Sequence, residues 1–166
     1  MDLNVNDVDP KLAEAAFSQL LEDNKLISIA TLDVEGLPYS NTAFFARVPG
    51  RPALVIFTEP EKNHSRNIEA RPNFSATVFD STQMGSPLRG LQLVGTARRL
   101  GGADAQAAYL AYSGRFEWLA DTTDDYSDVE RKFNSRFYEF LIVNARIYDE
   151  TRFAAEQIVD ATFESE

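Results

Sequence analysis

Between Lys25 and Phe57 the chain offers three β-prone runs with no room between them for a crossover helix. Leu26–Leu32 stops at the turn signal Asp33-Val34-Glu35-Gly36, Pro38–Val48 stops at Pro49-Gly50-Arg51-Pro52, and Ala53–Phe57 is short and wholly apolar. Parallel neighbours need long connections and antiparallel ones need only a hairpin, so these runs predict an antiparallel meander. Three further runs extend it. Phe74–Phe79 alternates, with Phe74, Ala76 and Val78 on one face and Ser75, Thr77 and Phe79 on the other. Leu88–Leu100 is long and contains Gly90 and Gly95, which mark bends or a close backbone approach. Phe137–Ile147 is the last. Closely spaced strands with no internal repeat predict a mainly β fold (β or α+β), a six-stranded antiparallel barrel with peripheral helices.

Helical signals are fewer. Asp9-Pro10 reads as an N-cap followed by proline at the first helical position, where a missing N–H costs nothing. Leu12, Ala13, Ala16, Phe17, Leu20 and Leu21 then recur at helical spacing, predicting an amphipathic helix that ends near Asn24 and packs on the domain. Residues 59–71 predict a short helix closed by Arg71-Pro72, and Ala103–Tyr112 an alanine-rich one. Residues 1–8 are expected to be loose, residues 9–150 to form the domain, and residues 151–166 to be a tail with a short helix.

A length of 166 residues suits one domain with a substantial core. The absence of cysteine excludes disulfides, zinc ribbons and thiol catalysis, and a single imidazole, His64, disfavours a multi-histidine metal centre or a hydrolase triad. A net charge of −10 argues against a duplex-binding surface, which needs clustered Lys and Arg. No apolar run approaches the roughly 20 residues of a membrane span, and the start MDLNVNDVD lacks the apolar centre of a signal peptide. The expectation is a soluble, cytoplasmic protein with no nucleic-acid or membrane partner. Residues 121–130, DTTDDYSDVE, lack the alternating ligands and central glycine of a calcium loop and read as a solvated acidic connection.

The segment Ile56–Ile68 carries the chemistry. An apolar strand ends at a hydroxyl, Thr58, a turn follows, and a short helix opens with Lys62, Asn63, His64 and Ser65. Helix N-termini present unsatisfied N–H groups and a positive dipole end, which favour phosphate. Lys62 adds a charge, while Thr58, Asn63 and Ser65 add neutral donors. Thr58 and Glu61 also stand at the spacing of a capping box, and His64 on spacing alone is equally an ordinary exposed helix histidine.

The text FTEPEKNHSRNIEARPNFSATVF resembles the pyridoxamine 5′-phosphate oxidase-like FMN-binding split barrels. The matching features are Thr58 at the strand end, the polar helix start Lys62–Ser65, Asn67-Ile68, Pro72 and the strand Asn73–Phe79. LRGLQLVGTARRL, with Gly95 and Arg98-Arg99, and the closing SRFYEFLIVNARIYDE are similar to later strands of that family. The resemblance spans roughly residues 10–150.

It implies FMN at a homodimer interface. The phosphate would be held by Thr58, Asn63 and His64 with Lys62 and Ser65 beside them, and Phe44, Phe45 and Phe57 would line either the dimer core or the ring pocket. The ring would take hydrogen bonds from the strand Ser40-Asn41-Thr42-Ala43, and the partner copy would contribute Arg89, Gly90 and Gln92. Trp118 would approach the ring or, as its simpler fate, pack in the core. The chain departs from the oxidase itself. Asn63 and His64 replace two basic residues, Gly90 stands for a glutamine, and no Arg-x-His pair occurs near the end. The resemblance therefore implies an FMN-dependent oxidoreductase of the group, using a nicotinamide or another small-molecule substrate, rather than the oxidase proper. The alternative is a split-barrel protein without turnover that binds haem, a deazaflavin or flavin.

Overall fold

A computed structural model describes residues 3–5 and 8–163. In chain order these form strand β1 (Leu3–Val5), helix α1 (Pro10–Asp23), strands β2 (Leu26–Leu32), β3 (Pro38–Arg47) and β4 (Ala53–Thr58), and helix α2 (Asn63–Ala70). Strands β5 (Asn73–Phe79) and β6 (Arg89–Arg99) follow, then helices α3 (Gly102–Arg115), α4 (Glu117–Thr122) and α5 (Tyr126–Phe133), and finally strands β7 (Arg136–Asp149) and β8 (Ile158–Phe163). The β2–β3 turn is organised by Asp33, whose carboxylate accepts from the amides of Glu35 and Leu37 at 2.9 and 2.8 Å, while Gly36 takes a φ of +88° that a side chain would disfavour.

Every strand pair is antiparallel, and the cycle β2-β3-β4-β7-β6-β5 returns to β2, giving a closed six-stranded barrel. β7 serves two partners along one edge, β4 over residues 136–141 and β8 over residues 144–148, while β6 pairs along the other edge. The tail is therefore a strand where a helix was expected. Val159, Ala161 and Phe163 are buried in alternation, a period of two that only a pleated strand satisfies. Residues 3–5, expected to be loose, pair with that strand as β1. Residues 1–2, 6–7 and 164–166 lie outside the described residues.

Opposite Gly95, β7 carries one extra residue, because Val94 pairs with Asn144 and Gly95 with Ile142. This bulge at Val143 lets Ala145 and Ile147 continue the inward row begun by Tyr138, Phe140 and Ile142. Gly95 is required there, since a Cβ would collide with the carbonyl oxygen of Leu141.

Two apolar clusters result. The first fills the barrel and takes in Ala13, Ala16, Phe17, Leu20 and Leu21 of α1, with the Phe17 and Phe163 rings 5.1 Å apart. Asp9 caps α1 as expected, accepting from the Lys11 amide at 2.9 Å. The second lies outside the barrel, where α3, α4 and α5 cover Ala46, Val55 and Phe137. Residues 121–130 run through α4 and α5 instead of forming a solvated connection. Asp125 caps α5, and Asp128 is buried against Arg131 and Lys132.

Candidate functional site

The end of β4 and the start of α2 meet at one mouth of the barrel. Thr58 Oγ1 and His64 Nε2 lie 2.8 Å apart. That bond takes the Thr58 hydroxyl away from Glu61. The capping box does not form, the N-cap position falls to Lys62, and among the described residues no side chain caps α2. The first amides of this helix keep their hydrogen-bonding capacity toward the rim. Ser65 is fully buried and donates its hydroxyl to the Glu59 carbonyl at 2.8 Å, which fastens the turn. Two more polar contacts seat α2 on the barrel. Asn67 Nδ2 donates to Thr31 Oγ1 at 3.0 Å, and the Tyr138 hydroxyl donates to Glu69 at 3.1 Å. Burial pushes the Tyr138 phenol up to about 12, so it stays a donor.

The rim presents donors and little net positive charge. Burial, and secondarily the nearby Lys62 ammonium, hold the His64 imidazolium below its ordinary range. Lys62 is itself paired with Glu59 at 3.2 Å. Arg136, opposite Thr58 in the β4–β7 ladder, is paired with Glu130 at 2.8 Å. Lys62 and Asn63 are exposed.

A second feature lies beside it. β3 has 10 residues and β4 only 6, and the two pair only from Phe45 to Arg47. Over Pro38–Phe44, β3 is bonded to β2 on one side, and among the described residues no strand takes its other edge. Two steps before Phe45 on β3, and two after its partner Ile56 on β4, Ala43 comes level with Thr58. The bare edge therefore runs past the Thr58–His64 pair. Ser40 and Thr42 are exposed on the outer face, whereas Asn41 and Ala43 are half-buried. Among the described residues Asn41 Oδ1 is buried without a hydrogen-bond partner, and such an acceptor normally has one.

The other expected site residues lie elsewhere. Phe57 sits in the outer cluster with Tyr112, Trp118, Phe133 and Phe137, its ring 5.6–6.1 Å from theirs. Trp118 is half-exposed at the margin of that cluster. Arg89, Gly90 and Gln92 belong to β6, which β2 and β5 separate from β3. Arg89 is turned into its own chain, 3.2 Å from Asp23 and 3.4 Å from Asp149. Gly90 is buried and Gln92 exposed. Sequence reasoning missed Thr31 and Tyr138 and singled out Asn67 without its partner, because their burial depends on how α2 lands. It also missed the bare edge, which the unequal lengths of Pro38–Val48 and Ala53–Phe57 could have signalled.

A family profile described as Pyridoxamine 5′-phosphate oxidase matches residues 13–148. No curated protein sequence matches the chain. Among solved structures, a haem-binding protein from Mycobacterium smegmatis superposes with a TM-score of 0.71 at 22% identity, over 93% of this chain and 59% of that one. The haem storage protein HutZ from Vibrio cholerae gives 0.60 at 14% identity, over 78% of this chain and 94% of its own. A protein related to general stress protein 26, of the pyridoxinephosphate oxidase family, from Clostridium acetobutylicum gives 0.63 at 16%, over 94% of this chain and 97% of that one. At these identities the likeness establishes a shared fold. The chain spans 59% of the length of the M. smegmatis protein.

Proposed function

The chain belongs to the pyridoxamine 5′-phosphate oxidase family, and on that premise we propose that it is a cytoplasmic FMN-binding oxidoreductase, a homodimer that passes electrons from a reduced nicotinamide to a small-molecule acceptor. The observation that carries this reading is the bare edge of β3 running past the Thr58–His64 pair. A strand edge offers backbone donors and acceptors in a row, which suits the polar edge of a planar heterocycle. In this reading Ser40, Asn41, Thr42 and Ala43 hold the ring through their backbone, and Asn41 Oδ1 receives the donor it lacks. The uncapped start of α2 holds the phosphate, with Thr58, Lys62, Asn63 and His64 contributing side chains. Ser65 contributes its amide, because its hydroxyl is committed to Glu59. Gly90 and Gln92 reach the ring only from a second copy, because two strands lie between them and their own rim. FMN, when bound, supplies the electron transfer, and the chain supplies orientation and hydrogen bonds.

A second reading, a haem- or deazaflavin-binding protein without turnover, draws support from the haem-binding and haem storage proteins that share the fold. Haem fits the donor set less well. His64 is the sole imidazole, and its Nε2 would have to leave Thr58 to reach iron. Absorption spectra, taken as purified and again after incubation with FMN and desalting, separate the readings. A retained flavin band supports the first. A haem band that survives desalting where flavin does not would replace it with the second.

A further inference from the structure

Helix α2 is 8 residues long, and its buried side chains are Ser65, Asn67 and Ile68. Of these Ile68 alone is apolar. One apolar side chain does not fix how so short a helix lies, so its register is left to polar contacts. The Tyr138 contact reaches Glu69, a carboxylate that is 45% exposed and also lies 3.8 Å from Arg99, so water and a second partner compete for it. The bond from Asn67 Nδ2 to Thr31 Oγ1 has no such competition, because the two residues are 6% and 2% exposed. Asparagine is a poor residue for a helix interior, and a buried amide that lost this acceptor would find no water to replace it.

Thr31 ends the inward row of β2, after Ile27 and Ile29, and is paired in register with Tyr39 near the start of the bare edge of β3. Asn67 follows Asn63 and His64 by four and three residues, so it lies one turn below them on the same face of α2. One buried hydrogen bond therefore ties the strand pair that carries the bare edge to the helix turn that carries the anion-favouring amides. We infer that Thr31 and Asn67 are positioning residues, which set the distance between the ring edge and the phosphate turn without touching the ligand. This role rests on the proposed flavin reading. Only a ligand with both a ring and a phosphate needs that distance held. Riboflavin, which has the ring and no phosphate, does not.

Thr31→Val keeps the shape of the side chain and deletes its hydroxyl, whereas Thr31→Ser keeps the hydroxyl. In fluorescence titrations Thr31→Val should weaken FMN binding about tenfold and leave riboflavin binding unchanged, while Thr31→Ser retains the wild-type preference for FMN. Thr31→Val combined with Asn67→Leu removes both polar partners, so this variant should fold with near wild-type stability and still lose the preference. His64 is the sole histidine, and its ring protons give a second readout by NMR in flavin-free protein. Burial and then Lys62 lower its pKa in the wild type. In Thr31→Val and in the double variant the titration should move up toward the ordinary value of about 6.5, as α2 shifts and the ring gains water. An FMN preference that survives in the folded double variant, an equal loss for FMN and riboflavin, or an unmoved His64 titration would each overturn the assignment. So would a wild type that holds FMN no better than riboflavin. A wild type that binds neither flavin would count against the flavin reading, and the hold of Thr31 on α2 would then stand or fall on the His64 titration alone.

Discussion

His64 and Thr58, six positions apart, face each other across the turn into α2, and their bond fixes which states of the rim are populated. Because burial and then Lys62 lower the folded-state pKa of His64 below 6.5, the unfolded chain takes up a proton more readily than the folded one. The resulting stability is complete above the unfolded value and declines as pH falls from there toward the lowered one. Urea unfolding of flavin-free protein should show that decline, and His64→Asn should remove its share of it. A phosphate dianion at the rim acts in the opposite sense, stabilising the imidazolium. FMN should bind more tightly as pH falls through this window, by at most about tenfold per pH unit for one coupled proton. His64→Ala should weaken FMN binding and abolish that slope with the fold intact. Unchanged affinity in a flavin titration would remove His64 from the site. The residue types at the rim were legible in the sequence, but their partners were not. Thr58 had Glu61 and His64 both within local reach, and the landing of α2 on the barrel decided between them.

Among the elements, the β6–β7 pair carries the barrel's closure, and its bulge depends on one missing side chain. Gly95→Ala would drive a methyl group into the Leu141 carbonyl, so the two strands must separate locally. An overpacking loss of about 1–3 kcal/mol is expected, read as a lower denaturant midpoint at unchanged slope. Helix α1 was legible at both ends because its signals are local, and Asp9→Ala should cost about 1 kcal/mol through loss of the cap. Its far end is held from a distance. Arg115 on α3 donates to the carbonyls of Leu21, Glu22 and Asn24 at 2.9, 3.1 and 2.7 Å, a contact between residues more than ninety apart in sequence. The misread tail belongs with such cases. Ile158–Phe163 is a strand because the second half of β7 leaves an edge that β4 does not fill.

For the molecule as a whole, the proposed homodimer yields a prediction that bears directly on function. Gly90 and Gln92 are two strands away from the β3 edge of their own chain, so the proposed flavin site is completed only in a dimer. Light scattering alongside sedimentation should then report one dimeric species at micromolar concentration. By itself the sequence determined what depends on neighbours along the chain. Turn residues set the antiparallel meander, alternation set which strand faces are buried, Asp9-Pro10 set the start of α1, and the polar run after Thr58 set an anion-favouring helix start. The tertiary structure decided what depends on distant segments meeting. These are the closure of β6 on β7 through the Gly95 bulge, the recruitment of the tail as β8, the bare edge beyond the short β4, and the pairing of Thr58 with His64. The physical reason is range. Dihedral preferences and caps act within a few residues, whereas ladders, burial and buried hydrogen bonds are settled by whichever surfaces remain unpaired after the chain has closed.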